Sequence, residues 1–387
     1  MASNPRCFKE AQLAASNGYI VHVVAFNLKN RLAREENKII NTATNIHFHH
    51  LSVERSDIFN WLISSFITKA SRLLNIFRKN DPAVNSFAFD RRSWLISSFL
   101  DRINFQVDMI VAHNPVVFYP VYKTAKRKKI PYAIDMEDYH PGEGKDIKQQ
   151  QRAKKIMLST SAGASYISYA SPMIREYCEN DINRNNKNDI TVNNVFSSND
   201  FVLNDRVNGK IRLIWFSQHI GFNRGLDQFL PLIDAFKDHV QLDLVGMLNP
   251  SFRDTFIKDR KYISIIQPLA QPALNRMICN YDIGLALENP DTDVNRDICL
   301  TNKIFAYRQA GLFILATDTR AQKRFMEMNT GCGEIITKEN FNLILQNLIN
   351  NIGEIRSAKA TRFTSAKEMA WETEGNKLLN LWNQTLD

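Results

Sequence analysis

The sequence predicts an α/β protein built as two doubly wound domains, each a parallel sheet with helices on both faces. Three observations lead there. Short, near-continuous apolar segments rich in β-branched residues alternate with helical patterns, as strands buried on both faces do. The alternation pauses over the polar, turn-rich stretch FSSNDFVLNDRVNGK (196–210) and restarts at residue 211. The 387 residues also exceed what one hydrophobic core organises.

The elements follow in order. Residues 5–17 read as a helix, and YIVHVVAF (19–26) as a strand entered through Gly18. IHFHH (46–50), VDMIVAH (107–113), YAIDME (132–137) and ASYISY (164–169) continue the strands, with helices predicted over 116–129, 147–160 and 171–179. Between the second and third strands lies a long helical stretch in which WLISSF occurs twice, at 61–66 and 94–99. A repeat that short does not make a solenoid. In the second half the strands are 211–216, 240–246, 263–266, 282–288 and 313–318. Helices are expected over 224–236, 271–280, 301–310 and 320–328, with helical segments 339–352 and 355–385 closing the chain. The domains expected are 1–200 and 201–365, with a terminal helix over 366–387 packing back toward the first. The first domain reads as short of its opening strand, because no strand precedes Asn4. Either a strand lies upstream or the sheet lacks a central member, and an upstream segment is favoured because a gap strands backbone hydrogen-bonding groups.

Composition narrows the class. Hydrophobic residues make up 44% and charged residues 23%, which excludes a disordered or fibrous chain. No run of eighteen apolar residues is present, so a spanning helix is not expected. The first residues lack the pattern of a secretory signal. Five scattered cysteines without a CxxC pair fit free thiols in a reducing cytosol better than a zinc ribbon or a disulfide scaffold. The net charge of +9 falls almost wholly on residues 1–200. A basic half suits an anionic membrane face, a phosphorylated acceptor or nucleic acid, and equally a solvated lysine surface. The stretch 57–79 sets Trp61, Leu62, Phe66, Leu73 and Phe77 beside Lys69, Arg72, Arg78 and Lys79. It fits a helix lying in a membrane interface, with Lys126, Arg127, Lys128 and Lys129 close by, and it also fits an amphipathic helix packed on its own domain. Nucleic acid is not expected as a partner, because no binding motif accompanies the basic residues.

Chemistry points to the second half. His47, His49 and His50 lack the spacing of a metal site, and no GxSxG elbow or phosphate-binding GxxxxGK[ST] loop occurs. The strand IRLIWF instead runs into SQHIGFNRGL (217–226) and a helix. Small residues let backbone approach a ligand, and Arg224 with a helix N-terminus suits a diphosphate, although a surface loop with a solvated arginine also fits. A later strand ends at Glu288, a loop carries Arg296 and Asp297, and a helix opens with Asn302 and Lys303 in its first turn. A lysine there opposes the helix dipole, which a bound polyanion would explain.

Taken together these segments resemble the GT-B glycosyltransferases of the family 4-like type over nearly the whole chain. SNPRCFKEAQLAASNGYIVHVVAF is similar to their opening segment without its first strand, and VNNVFSSNDF to the strand end before the interdomain linker. SQHIGFNRGLDQF is similar to the diphosphate loop, and LTNKIFAYRQAGLFILATD to the nucleotide-site segment. The resemblance implies two Rossmann-like domains facing a cleft. It places Ser217, Gln218, Arg224, Arg296, Asn302 and Lys303 at the donor diphosphate or nucleotide, and Glu288 at the donor sugar or ribose. Arg6 would line the cleft floor, and Glu137 would stand on the acceptor side. Asp138 or His140 would serve as a base, although acids at a strand end also fit helix caps or ion pairs. Two departures stand out: Ala306 and Ile298 occupy the slots of a paired glutamate, and Gln218 follows Ser217 where many relatives have a second basic residue.

The implied activity is sugar transfer from a nucleotide-sugar to a glycan or lipid-linked acceptor in surface polysaccharide biosynthesis, in the cytoplasm at the inner face of the membrane. It implies retention of anomeric configuration, no metal, and no cofactor beyond the nucleotide-sugar co-substrate. Stabilising the departing diphosphate with fixed cations would be the protein's main task. A sugar-nucleotide epimerase of the same fold and a non-catalytic nucleotide-sugar-binding relative are the alternatives.

Overall fold

The computed structural model describes residues 4–27, 45–55, 57–204 and 209–386. Its contacts divide the chain into one unit of Met1–Asn193 with Gly375–Asp387 and a second of Asn194–Glu374.

The first unit opens with helix α1 (Pro5–Ser16), strand β1 (Val21–Asn27) and strand β2 (Ile46–Ser52). Three helices follow, α2 (Ile58–Leu74), α3 (Pro82–Phe89) and α4 (Arg91–Arg102), where the sequence suggests one long helical stretch. The breaks have local causes. Asp81 and Asp90 each turn a carboxylate onto the first free amides of the helix that follows, and Pro82 stands at a helix start, where no amide is missed. Then come β3 (Ile110–His113), α5 (Pro115–Lys128), β4 (Tyr132–Met136), α6 (Ile147–Ser161), β5 (Tyr166–Tyr169), α7 (Pro172–Ile182) and the two-residue β6 (Ile190–Thr191). Among the described residues, α1 to α7 each start at a capping side chain: Asn4, Asp57, Asp81, Asp90, Asn114, Asp146 and Ser171.

The strands of this unit form two separate parallel ladders, β1–β2 and β3–β4–β5–β6. Among the described residues no ladder joins β1 to β3. α1 reaches both pieces: Ala11 packs with Val23 and Ile46, while Arg6 and Glu10 meet β3 and β4. The C-terminal residues return to this unit, where Trp382 Nε1 donates to the Tyr166 hydroxyl at 2.7 Å.

The second unit holds β7 (Ile211–Ile220), α8 (Leu226–Ile233), β8 (Val240–Leu248), β9 (Ile263–Ile266), α9 (Gln271–Ile278), β10 (Ile283–Ala286), α10 (Val294–Ile298) and α11 (Asn302–Gln309). It continues through β11 (Phe313–Thr317), α12 (Arg320–Met328), β12 (Gly333–Ile336), α13 (Phe341–Asn350), α14 (Ile352–Ser357) and α15 (Lys359–Ser365), and α16 (Trp371–Leu386) begins in it and passes into the first unit from Gly375. The helical segment expected over 355–385 is divided among α14, α15 and α16. All six strands form one parallel sheet in the order β12-β11-β10-β7-β8-β9. β7 is central, and its alternate residues serve opposite faces. Leu213 and Trp215 join Phe229, Leu242 and Phe341 on one side, whereas Ile214 and Phe216 join Phe305, Ile314 and Phe325 on the other.

The unit begins at Asn194, ahead of the expected boundary at 200/201. Phe196 is tied in on both sides: its amide donates to Gln309 Oε1 at 2.9 Å, and its carbonyl accepts from Gln309 Nε2 at 2.8 Å. The five cysteines are all free thiols. Among the described residues no helix is long and apolar enough to cross a membrane.

Candidate functional site

The site residues of the second unit gather at the carboxyl ends of β7 and β10, where an open α/β sheet presents its ligands. Three local devices place them. A register shift between Phe216 and His219 puts an extra residue into β7, and such a bulge turns the side chains beside it away from the ladder. Ser217 thereby accepts a hydrogen bond from Arg224 Nη1 at 2.9 Å. Gly225 then adopts φ +82°, and a Cβ there would lie 2.8 Å from that of Leu287, so only glycine lets this loop press on the end of β10. Finally, the Glu288 amide donates to Thr317 Oγ1 at 2.8 Å, fixing the residue just beyond β10.

Glu288 is buried and is the centre of the charge. Lys303 Nζ lies 2.5 Å from Oε1, and Arg296 Nη1 lies 2.8 Å from Oε2. Burial alone would raise this carboxyl, but Lys303 and then Arg296 outweigh it and hold it below its ordinary value. Lys303 also sits 5.6 Å from the ring centre of Trp215. The lysine at the start of α11 thus has an internal partner in Glu288; the dipole argument does not by itself require a polyanion.

Arg224 differs. Burial lowers its pKa, and the charge of Arg296 lowers it further. Its hydrogen bond goes to a neutral hydroxyl, and among the described residues it forms no ion pair. α8 starts at Gly225 and α11 at Thr301 with no side-chain cap, in contrast to the first unit's helices. Both helices leave amide groups for an anion. Next to Arg224 lies a concavity of about 510 Å³ lined by His219, Phe222, Met247 and Asn249. Gln218 is exposed on β7. Asn302 Oδ1 accepts from Asn194 Nδ2 at 2.8 Å.

The first unit holds a second charged cluster. Arg6, expected on an open cleft floor, is instead 1% exposed. Its Nε and Nη2 each lie 2.7 Å from a carboxylate oxygen of Asp135, and Nη1 donates to the Val192 carbonyl at 2.5 Å. Ser168 Oγ donates to Asp135 at 2.6 Å. Asp135 is buried, which would raise its carboxyl, yet Arg6 and His113 drive it far below the usual range. Sequence reasoning missed His113, the last residue of β3. Its Nδ1 lies 3.1 Å from Asp135 and 3.2 Å from Glu137, and its Nε2 lies 3.5 Å from Glu10. A charged residue on the inner face of α1 was the available signal. Glu10, His113 and Asp135 bring ligand atoms within 4.8 Å of one another, but the Arg6 cation already occupies Asp135.

Glu137 accepts from Asn4 Nδ2 at 2.6 Å and so belongs to this cluster. Asp138 is half-buried in the bend after β4. His140 Nδ1 lies 2.7 Å from Glu143 Oε2, three residues on. The structure therefore joins Arg6, Asp135 and Glu137, and separately Ser217, Arg224, Glu288, Arg296 and Lys303.

With this geometry established, the chain can be compared with known proteins. No family model matches it. HepE of Anabaena in complex with UDP superposes with a TM-score of 0.63 at 13% identity, covering 98% of this chain and 97% of that one. A glycosyltransferase of Rickettsia africae ESF-5 gives 0.62 at 13% identity, over 98% and 93%. The fold is GT-B. The GT-B chain described here spans only 61% of the matched chain of the GtfA/B complex, at a TM-score of 0.55 and 11% identity. Among curated sequences, the exocyst component SEC15 of Saccharomyces cerevisiae aligns at 27% identity over 132 residues. That is 32% of this chain and 14% of SEC15. The GT-B superposition extends over nearly the whole chain, so it is the one that bears on the architecture.

Proposed function

We propose that this protein is a glycosyltransferase that takes a sugar from a uridine diphosphate donor. The observation carrying this reading is Arg224, a half-buried cation just beyond the central strand that hydrogen-bonds a neutral hydroxyl and, among the described residues, forms no direct ion pair, feeling Glu288 only through its charge. The charge of Arg296 reaches Arg224, Arg296 and Lys303 both engage Glu288, and two uncapped helix starts lie at the same sheet edge. Fixed cations and free amides suit an anion whose charge grows as a bond breaks. Cleaving a sugar–phosphate bond produces such an anion together with an oxocarbenium-like sugar. Arg224 would hold the diphosphate, and Ser217 would keep its guanidinium aimed. Gln218, Asn302 and the α11 start would approach the nucleotide, and Glu288 would position Lys303 and Arg296. The choice of UDP draws on HepE, whose structures hold UDP and UDP-glucose.

The reaction proposed retains anomeric configuration and runs without a metal, the three cations supplying the charge that leaving-group departure requires. The acceptor is a glycan or lipid-linked glycan in surface polysaccharide biosynthesis, with the protein at the cytoplasmic face of a membrane. Glu137, Asp138 and His140, beyond β4, are the acceptor-side residues, and either of the last two would take the acceptor proton.

The test is a thermal-shift screen of the full chain against UDP-, GDP-, dTDP- and CMP-sugars. UDP and a UDP-sugar should raise the melting temperature above the others. Arg224→Ala should lose roughly tenfold or more in UDP affinity, as expected for a charge-assisted hydrogen bond, while melting unchanged without ligand. A UDP response undiminished in Arg224→Ala ends the proposal.

A further inference from the structure

Helix α2 is packed inside out. Its buried residues are Ser64, Thr68 and Ser71, spaced three and four apart on the face that meets α3 and α4. The opposite face carries Phe59, Leu62, Phe66 and Leu73 in the same spacing, with Ile58 before them and Phe77 just beyond the helix, all exposed. Phe66 is 72% and Phe77 86% exposed. A surface helix normally turns this stripe toward the core. The amphipathic pattern visible in the sequence is therefore present, but the packed side is the small, polar one. Small hydroxyl residues allow close helix contact, and Asn75 Nδ2 reinforces it by donating to Asn85 Oδ1 at 3.0 Å.

The charges around the stripe identify its occupant. Residues 58–80 contain Lys69, Arg72, Arg78 and Lys79 and no acidic residue. Arg55 lies 5.3 Å from the ring centre of the half-buried Trp61 near the helix start. Arg72 turns inward, its Nε donating to the Ala88 carbonyl at 3.1 Å, so two copies meeting through this face would bring Lys69, Arg78 and Lys79 against the same three, a like-charge contact that costs affinity. An anionic lipid surface is complementary on both counts, taking the apolar side chains among its acyl boundary and the cations at its headgroups. The lysine-rich end of α5 is not needed for this. Arg127 and Lys123 pair there with Asp101, and Lys126 lies over Tyr122.

We propose that the outer face of α2, from Ile58 to Phe77, is a docking surface for an anionic lipid bilayer. The helix lies in the interface plane, with Phe59, Leu62, Phe66 and Leu73 entering the membrane and Lys69, Arg78 and Lys79 at the phosphate level. This deepens the membrane placement in the proposed function and is independent of the donor chemistry of the second unit.

The experiment is flotation of the full chain with phosphatidylcholine vesicles, with and without phosphatidylglycerol. Wild type should float with the anionic vesicles. Phe66→Asp with Leu73→Asp should weaken that binding at least about tenfold, since each buried side chain of this size carries more than a decade of affinity. Arg78→Glu with Lys79→Glu should weaken it comparably on anionic vesicles, with little change on neutral ones. Because all four positions are exposed, circular dichroism and the UDP-induced thermal shift should match wild type, so a failure here is distinguishable from a failure of the donor reading. Three results would overturn the proposal: no flotation of wild type, flotation unaffected by Phe66→Asp with Leu73→Asp, or wild-type self-association that these changes abolish.

Discussion

The two units use one chain pattern with opposite interiors. In the second, β7 sits at the centre of a continuous six-stranded sheet, and the helix after it, α8, buries Leu226, Phe229, Leu230 and Ile233. In the first, helix α1 buries Arg6, Glu10 and Ala11, and among the described residues no ladder joins β1 to β3. An aliphatic face seals against an unbroken sheet at no electrostatic cost. A charged face has to be closed by partners, and in the first unit Asp135, His113 and Ser168 close it. The charge clusters differ accordingly. In the first unit each charged group of the cluster pairs directly with an opposite one, while in the second Arg224 forms no direct ion pair among the described residues. A closed cluster serves stability and an open one serves a ligand.

The strongest way to break that comparison is Arg6→Met. It leaves the buried Asp135 carboxylate without its bidentate cation, and removing one member of a buried pair costs about 3–5 kcal/mol. Denaturant unfolding should show a loss of that size. A loss below about 1 kcal/mol would mean that the cluster is wet and open like the one in the second unit.

Much of this was legible before the structure. Strands bounded by glycine, proline or helix starts stood out because parallel strands are apolar throughout, and Ser217, Arg224, Glu288, Arg296 and Lys303 lay in the segments that follow strand ends, where ligands bind. Strands β6 and β12 escaped notice because Ile190–Thr191 is two residues long and Gly333–Ile336 is only partly buried. The role of Arg6 was hidden for a different reason. Its burial depends on Asp135, 129 positions away, and pairing over that distance leaves no periodicity in the sequence. The orientation of α2 was equally hidden, since a moment tells that a helix has two faces and not which one finds a neighbour.

A titration sharpens the contrast at the next level of effect. Burial, then the charge of Asp135, raises the Glu10 carboxyl from 4.5 to about 7. Between those values the folded chain holds a proton that the unfolded chain has released, so stability falls as pH rises across the window. His113 is raised well above 6.5: burial pulls it down, but Cys7 and Glu10 outweigh burial. Its contribution is complete below 6.5 and is lost as pH climbs through the folded value, which is the same direction. Arg6, Asp135, Glu137, Cys7, Lys9 and Tyr166 also act on this pair, and of these Asp135 contributes stability above 3.8 and loses it only in stronger acid. Thermal melts should therefore decline from about pH 5 upward. Glu10→Gln should flatten the part below pH 7 by an amount on the order of 2–3 kcal/mol. An unchanged slope would remove Glu10 from the closed cluster.

The smallest effect on stability, and the most informative one on the open cluster, is expected from Glu288→Gln. The amide keeps one acceptor for Lys303 and matches the carboxylate in size, so the loss of stability should stay near 1 kcal/mol. In the wild type, however, the carboxylate charge partly neutralises Lys303 and Arg296 at 2.5 and 2.8 Å. Removing that charge leaves three cations facing the carboxyl ends of β7 and β10, and an anion binding there gains from each. Calorimetry should show tighter binding of UDP to Glu288→Gln than to wild type, by severalfold and more so at low salt. The response to a UDP-sugar separates two roles for Glu288. If it only holds the cations, UDP and UDP-sugar affinity rise together. If its carboxylate also touches the sugar, UDP gains while the UDP-sugar loses. Weaker binding of both would contradict the charge balance described for this cluster, and with it the distinction between an open and a closed unit.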